Sequence, residues 1–498
     1  MTEGDSAPDR ALSVVAGGVA WKLATQLVAY GSRAVITVVL ARLLTPEDFG
    51  VAGLALLFSA LVLVFTDLGA ALVHRQDLRE EDLSTAFWLS ITSGAVLTLA
   101  TIALAGPISE LFREPEVKPL LIALSFAFML TAAITTPAGL LTRRLAFRQI
   151  ELSNLTAVLV AAAAAVVVAV MGGGAWAIIA QQITQSVVYF ILIWSISRWR
   201  PRFMFSRASA RSLGGYSINL MGAKLFDYVQ SNSDNILIGR FLGPTALGVY
   251  SMAYNLMLYP VVRLSDPVNA AMFPVISRMQ DDNERMAGVW LRVSRFMAVA
   301  VTPAMLLLIV LAPEFVSLVL GDRWDEAVPV LQVLSWAGLV QAVRGPTSAV
   351  LLAKGLTGRF FSYNVLSAIV LIIGFALTVQ FGVVEVAISY SVAMTLLSPL
   401  FVRMGTRAIG IRMSRYFANL GGVAIAAIAL TLVGFALRHL LVAAGFGDLA
   451  VFGCVIVAGV AVYGLVCWWR MPSLVDDART LIGMMRRRRA GTSEGETG

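Results

Sequence analysis

The amino-acid sequence predicts an all-α polytopic membrane protein of about fourteen transmembrane helices, built as two six-helix lobes followed by two further helices. Three observations lead to this fold class. The composition is too apolar for a soluble chain, apolar segments long enough to cross a bilayer recur from end to end, and one stretch of fifteen residues occurs twice.

The composition excludes a soluble globular protein. Hydrophobic residues make up 58% of the 498 positions, charged residues only 14%, and the mean hydropathy is +0.81, whereas soluble domains carry about 25% charged residues. A transmembrane helix needs roughly 20 mainly apolar residues. Segments of this kind are centred near residues 27, 60, 95, 130, 161, 185, 226, 259, 303, 340, 369, 394, 426 and 458. Because the loops between them are short, we expect no soluble catalytic or nucleotide-binding domain.

The distribution of positive charge predicts the topology. The segments after the even-numbered helices and the C-terminal tail carry 26 Lys and Arg residues, and the opposite side carries 6. By the positive-inside rule, both termini are expected in the cytoplasm. The net charge of +8 is thereby explained by cytoplasmic loops that face anionic lipids, and no nucleic-acid partner is expected.

The duplicated stretch covers residues 41–55 and 239–253 and has an offset of 198. Six positions are identical: Arg42/Arg240, Leu44/Leu242, Pro46/Pro244, Gly50/Gly248, Val51/Val249 and Ala55/Ala253. Both copies join one apolar segment to the next, and six predicted helices separate them, so both are expected on the outer side as a parallel repeat. Thr45 as N-cap and Pro46 at the first helical position suit a helix start. We therefore interpret the copies as corners that shape a turn, without substrate contact.

The repeat and the charge pattern predict a domain organisation with six parts. These are a cytoplasmic leader (1–13), an N-lobe of helices one to six (14–196), a basic cytoplasmic linker (197–212), a C-lobe of helices seven to twelve (213–405), helices thirteen and fourteen (406–470), and a basic cytoplasmic tail (471–498).

Nine charged side chains fall at membrane depth, where charge is costly and usually faces a protein interior or a water-filled cavity. They are Lys22, Arg33, Asp67, Lys224, Asp227, Asp234, Arg263, Asp266 and Arg344. An offset of 198 places Lys22 one helical turn from Lys224, and Asp67 beside Asp266. The first two helices of each half are therefore the polar ones, and we expect them to line a central polar cleft.

These charges allow two explanations. Lys224 with Asp227, and Arg263 with Asp266, have i,i+3 spacing and could neutralise each other as structural pairs. Lys22, Arg33 and Arg344 have no local acid, and a fixed cation in a polar cavity suits a phosphate or pyrophosphate. The four acids could instead carry a coupling proton or Na⁺. We expect no other cofactor, no catalytic residue and no metal site.

Several further stretches carry a family resemblance. They are Asp67-Leu-Gly69, Arg75-Gln-Asp-Leu78, Thr85-Ala-Phe-Trp88, Arg143-Arg-Leu-Ala-Phe-Arg148, Asp234 to Tyr250, Phe273-Pro-Val-Ile-Ser-Arg278 and Gly321-Asp-Arg-Trp324, together with residues 41–50. In this order across fourteen predicted helices, the chain resembles the multidrug/oligosaccharidyl-lipid/polysaccharide exporter superfamily, and within it the oligosaccharide flippases of the colanic-acid exporter type.

The resemblance implies alternating access by two lobes that move a polyprenyl-pyrophosphate-linked oligosaccharide across a bacterial cytoplasmic membrane for surface polysaccharide or lipopolysaccharide synthesis. It also implies that basic cavity residues bind the pyrophosphate and sugar acids; the candidates are Lys22, Arg33, Lys224, Arg263 and Arg344. Asp67, Asp227, Asp234 and Asp266 are the candidates for ion coupling. Partners would include membrane lipids, a polysaccharide polymerase and glycosyltransferases.

Two alternatives make different demands on the sequence. A multidrug/cation antiporter of the same fold would need a more acidic cavity. A membrane-embedded polysaccharide polymerase or ligase would need a sizeable outer loop with acid, base or Arg/His groups, and the predicted outer loops are short. No GxxxxGK[ST] motif is present, so we expect no ATP hydrolysis by that route.

Overall fold

The computed structural model describes residues 31–63 and 79–471. Within these ranges every regular element is helical, which confirms the predicted all-α class. Lys22, Asp67, His74, the leader and nearly all of the C-terminal tail lie outside the described residues.

Fourteen helices follow one another in the described ranges. They are α1 (31–43), α2 (Pro46–Leu63), α3 (Glu80–Phe112), α4 (Val117–Arg143), α5 (Phe147–Val170), α6 (Trp176–Ser197), α7 (Arg207–Phe241), α8 (Pro244–Ser277), α9 (Asn283–Val310), α10 (Ala327–Arg344 and Thr347–Ala353), α11 (Thr357–Thr378), α12 (Val383–Ala408), α13 (Met413–Ala443) and α14 (Asp448–Arg470). Short helical pieces, Ala312–Phe315, Val316–Leu320 and Asp322–Trp324, connect α9 to α10.

The chain is a multi-pass membrane protein. Ten of the described helices, α3 to α6 and α9 to α14, are long and apolar enough to cross a bilayer. Helices α7 and α8 have 35 and 34 residues but carry the predicted charges, and α1 begins at the edge of the described residues. The count of fourteen spans and the cytoplasmic location of both termini therefore stay predictions.

Two compact units divide the chain, Met1–Ser251 and Met252–Gly498. In the first unit α3 packs on α4, and α5 packs on α6. The buried face of α5 carries a small residue at every fourth position, Ser153, Ala157, Ala161, Ala165 and Ala169. Small side chains let helix backbones approach closely, which is a main source of helix association in membranes. Ala165 and Ala169 accordingly pack against Ile36, Leu40 and Leu44 at the end of α1.

A tight glycine turn joins α5 to α6. Gly172 has φ +79° and Gly174 has φ +51°, a backbone region that favours glycine. A methyl group on Gly174 would also lie 2.6 Å from Oδ1 of Asp48. The three glycines thus form a short hairpin that packs against the start of α2.

The basic segment between α6 and α7 is attached to the beginning of α3. The indole Nε1 of Trp199 donates to Glu80 Oε1 at 2.9 Å, and that of Trp88 donates to the carbonyl of Arg202 at 2.9 Å. The amide of Ser206 donates to Thr85 Oγ1 at 2.9 Å. Residues predicted only as a linker therefore form a fixed part of the first unit.

The second unit has an aromatic centre that joins α9, α10 and α13. Trp290 is fully buried and stacks on Tyr416 at a ring distance of 4.9 Å. The Tyr416 hydroxyl donates to the carbonyl of Val343 at 2.9 Å, and Asn419 Nδ2 donates to that of Leu291 at 2.8 Å. Helix α13, predicted outside the repeat, is thereby packed into the unit by ring stacking and by hydrogen bonds from Tyr416 and Asn419.

A second attachment of α13 is the ion pair between Arg438 and Glu314. Nε of Arg438 lies 2.7 Å from Oε1 and 3.0 Å from Oε2 of Glu314. The Glu314 side chain is only 4% exposed, while that of Arg438 is 28% exposed. A buried carboxylate needs such a partner, because an unpaired charge in a low-dielectric interior is strongly unfavourable.

We expect Glu314→Ala to lower the free energy of unfolding by about 2–3 kcal/mol, measured as thermal stability of the purified protein in detergent. The estimate lies below the roughly 3–5 kcal/mol for a broken, fully buried pair because Arg438 keeps some contact with water. Glu326→Ala removes an exposed acid and is the control. Equal melting temperatures for the two variants would contradict the importance of the pair.

Candidate transport site

The first copy of the repeated corner begins α2 with reciprocal side-chain caps. Thr45 Oγ1 accepts from the Asp48 amide at 3.2 Å. Oδ2 of Asp48 accepts from both the Thr45 amide and its hydroxyl at 2.8 Å. Because these bonds satisfy donors that a helix start leaves open, Thr45 is confirmed as the N-cap with Pro46 as the first helical residue.

The second copy reaches the same geometry by another route. Gly243 stands where the first copy has Thr45, and its φ of +88° requires glycine. Its carbonyl accepts from the Leu247 amide at 3.2 Å, and α8 begins at Pro244. Proline thus holds the first helical position in both copies, where its missing N–H costs nothing.

The two copies contact each other reciprocally, and all the residues involved belong to the first unit. A methyl group on Gly50 would lie 1.7 Å from the carbonyl oxygen of Pro244, and one on Gly248 would lie 1.8 Å from that of Pro46. Both distances are far inside van der Waals contact, and the opposing atoms are backbone. Only glycine therefore fits at either position. We call these four residues the glycine–proline contact.

This reciprocity has the form of an isologous interface, in which each partner presents the same patch to the other. Sequence reasoning missed the contact and gave the corner only a turn-shaping role. One signal was available, since glycine within a helix costs about 1 kcal/mol relative to alanine, and both copies have glycine at the fifth helical position.

Acidic groups surround the corner on its first-copy side. Burial raises the pKa of Glu114, in the turn between α3 and α4, and the neighbouring carboxylates of Glu116 and Glu47 raise it further, against a backbone hydrogen bond that lowers it. Glu47 belongs to the corner itself. A cluster of carboxylates repels an anionic ligand, so the electrostatics favour the corner as a structural contact.

The predicted cationic residues occupy different environments. Arg33 is exposed on α1, and Lys224 is half-buried on α7. Arg263 is half-buried on α8, with its guanidinium 4.9 Å from the ring centre of Tyr259. This position, one turn along the helix, suits a cation–π interaction. The described cations therefore lie on the polar helices α1, α7 and α8, with Arg344 on α10.

Arg344 lies among the side chains of α11 and α12. Nη1 donates to the Tyr363 hydroxyl at 3.3 Å, and the guanidinium is 5.3 Å from the Phe401 ring centre. Its Nε is buried and, among the described residues, has no hydrogen-bond partner. Aromatic faces hold a guanidinium without neutralising it, so this cation keeps its charge available to an anion.

The predicted acids also differ from one another. Asp234 is 4% exposed and accepts from the Tyr250 hydroxyl at 2.8 Å and from the Asn235 amide at 2.8 Å. It thereby connects α7 to the second copy of the corner, since Tyr250 is fully buried there. Asp227 is exposed on α7. The side chain of Asp266 lies outside the described part of the structure, as does all of Asp67.

A many-helix membrane fold with an internal repeat and charges at membrane depth has the architecture of a transporter. The sequence pattern of the family described as "polysaccharide biosynthesis protein" matches residues 39–329, more than half of the chain. The chain therefore belongs to this polysaccharide biosynthesis family.

Individual relatives agree with this assignment. The lipopolysaccharide biosynthesis protein WzxC of Escherichia coli is 28% identical over 70% of this chain and 72% of its own length. The succinoglycan biosynthesis transport protein ExoT of Rhizobium meliloti is 28% identical over 64% of this chain, and the match spans 65% of that protein. The solved structure of the lipid II flippase MurJ, in an inward closed conformation, superposes with a TM-score of 0.72, at 13% identity over 91% of this chain and 100% of that one. At this identity the superposition shows a shared fold.

We expect Gly50→Ala and Gly248→Ala each to lower the free energy of unfolding by about 1–3 kcal/mol, as overpacked sites do, because no rotamer change can move a backbone oxygen away. Gly53→Ala on the same helix is the matched control, since its nearest neighbour is a Leu247 methyl at 3.9 Å. The double variant should lose less than the sum of the single losses, because the first substitution already separates the helix starts. Equal melting temperatures for Gly50→Ala and Gly53→Ala would refute the close approach.

Proposed function

We propose that this protein is a flippase that moves a polyprenyl-pyrophosphate-linked oligosaccharide across the cytoplasmic membrane of a bacterium for the synthesis of a surface polysaccharide. The observation that carries the proposal is the family match over residues 39–329. The two relatives, one named for lipopolysaccharide biosynthesis and one for succinoglycan transport, support the class of substrate. Glycosyltransferases and a polysaccharide polymerase would be its protein partners.

The cations at membrane depth supply the chemistry that such a cargo requires. A pyrophosphate carries negative charge that must leave the headgroup region, and a guanidinium offers it a planar pair of donors. Lys22, Arg33, Lys224, Arg263 and Arg344 are our candidates for this contact. The polyprenyl tail needs no polar path because it stays in lipid, so the protein has only to carry the headgroup.

Energy for the cycle would come from an ion gradient through the acids at membrane depth. Asp67, Asp227, Asp234 and Asp266 are the candidates to bind H⁺ or Na⁺. The position of Asp234 supports a specific role in ion binding, because its carboxyl group is buried and accepts a hydrogen bond from Tyr250. Protonation of that carboxylate would change its bond to the second copy of the corner.

The glycine–proline contact would have a structural role in the flippase, on its predicted outer side. Two helix starts that meet backbone to backbone exclude water and lipid between them. We infer that this contact holds the two corners together.

Deleting the gene should accumulate one lipid-linked oligosaccharide on the cytoplasmic side and abolish one surface glycan. The lipid fraction and the surface polysaccharide of the deletion strain are to be compared with those of the parent and of a complemented strain. An intact glycan together with an unchanged lipid precursor would refute the flippase proposal. Drug sensitivity in that strain with intact glycan would favour the antiporter.

Charge reversal in Lys22→Glu and Arg33→Glu should remove complementation while leaving membrane expression unchanged, because the cargo's phosphates would meet a like charge. Arg344→Gln, which removes the charge but leaves a polar side chain beside Tyr363 and Phe401, should reduce it strongly. Arg323→Glu reverses an exposed charge outside the helices that span the membrane and is the control. Full complementation by both Arg33→Glu and Arg344→Gln would make these residues structural.

A further inference from the structure

A groove of about 380 Å³ lies between the beginning of α11 and the end of α12. Arg359 and Ser362 line it from α11, and Arg407 lines it from α12. Its inner side includes Tyr363, which is 4% exposed and contacts Arg344. The groove is thus closed on the side of Tyr363 and open on the opposite side, at the surface of the second unit.

The charge of this groove is uniformly positive. Both Arg359 and Arg407 are exposed, and none of the described residues that line the groove is acidic. Arg344 adds a third guanidinium behind Tyr363, 5.9 Å from its ring centre. Like charges that line one groove repel one another, and an anion bound between them relieves this repulsion. The groove therefore has the electrostatic character of an anion site.

An apolar surface continues from the groove along both helices. On α11 the exposed residues Leu366, Ile369 and Ile373 follow at helical spacing, with 41%, 51% and 54% of their surface accessible. On α12 the exposed residues Leu400 and Leu396 precede Arg407, at 41% and 73%. Both helices belong to the set that can span a bilayer, so we expect these exposed stripes to face lipid chains. A ligand that fits this site has an anionic group attached directly to apolar chains.

We propose that this groove binds the phosphate headgroup of an anionic phospholipid, with Arg359 and Arg407 on the phosphate, Ser362 as a further donor, and the acyl chains along the two stripes. Both arginines lie on the predicted cytoplasmic side, where basic pockets between helices meet anionic headgroups. Two separate stripes suit two acyl chains better than the single chain of a polyprenyl lipid. Arg359 and Arg407 are not among the candidates for cargo binding.

The test is a lipid titration of the full-length protein in detergent, followed by native mass spectrometry. Phosphatidylglycerol should bind the wild-type protein more tightly than phosphatidylcholine. The double variant Arg359→Gln/Arg407→Gln should weaken phosphatidylglycerol binding about 30-fold, from about fivefold for each guanidinium near an anionic lipid, and leave phosphatidylcholine binding unchanged. Arg359→Lys/Arg407→Lys should retain most of the preference and reports on folding.

The matched control removes two exposed arginines near the start of α9, in Arg285→Gln/Arg292→Gln. It should change phosphatidylglycerol binding less than twofold. An equal loss in this control would assign the effect to overall charge and overturn the site. Equal binding of the two lipids to the wild-type protein would also overturn it. Displacement of phosphatidylglycerol by a polyprenyl diphosphate, one for one and only when Arg359 and Arg407 are present, would replace our ligand with a substrate-type lipid.

Discussion

The first turns of α2 and α8 approach each other so closely that only glycine fits at their contact. The carbonyl oxygens of Pro46 and Pro244 occupy the positions where the Cβ atoms of Gly248 and Gly50 would stand. Several other features of the first unit depend on this approach. Asp48 caps α2 and contacts the glycine turn before α6, and a methyl group on Gly239 of α7 would meet Leu54 of α2 at 2.6 Å. Small residues thus set how closely the helices meet, as expected where lipid offers no hydrophobic driving force between them.

Buried charged and titratable groups have three different kinds of partner. Glu314 is neutralised by Arg438, Asp234 accepts hydrogen bonds from Tyr250 and the Asn235 amide, and Arg344 rests on aromatic faces. The first arrangement cancels charge and stabilises the fold. The other two groups have no ion-pair partner in the part of the chain that the structure describes, and burying such groups costs desolvation. A protein tends to retain this cost where the group has a function. This contrast separates the structural ion pair from the candidates for transport.

Much of the fold follows from sequence because its signals are local. Apolar length predicts the ten helices able to span the membrane, and Thr45 predicts the start of α2. The contacts that position the site are long-range and have no such signal. Nothing near Trp199 in the sequence shows that it bonds to Glu80, 119 residues away. Likewise, the identity of Gly50 and Gly248 reveals the repeat but not that each glycine faces the other copy's proline. The position of a charged residue within an apolar segment is enough to predict it as a candidate. Its contacts, by contrast, are visible only in the folded structure.

The pairing of Glu314 with Arg438 has a consequence for how such a chain can evolve. Glu314 lies in the connection between α9 and α10, within the repeated twelve-helix part predicted from sequence, while its partner is on α13. A buried carboxylate at this position is tolerable only when α13 is present. A shorter protein that ends after α12 would need a neutral residue at position 314. The identity of this one side chain therefore records whether the C-terminal helices are an integral part of the molecule or an extension that it could lose.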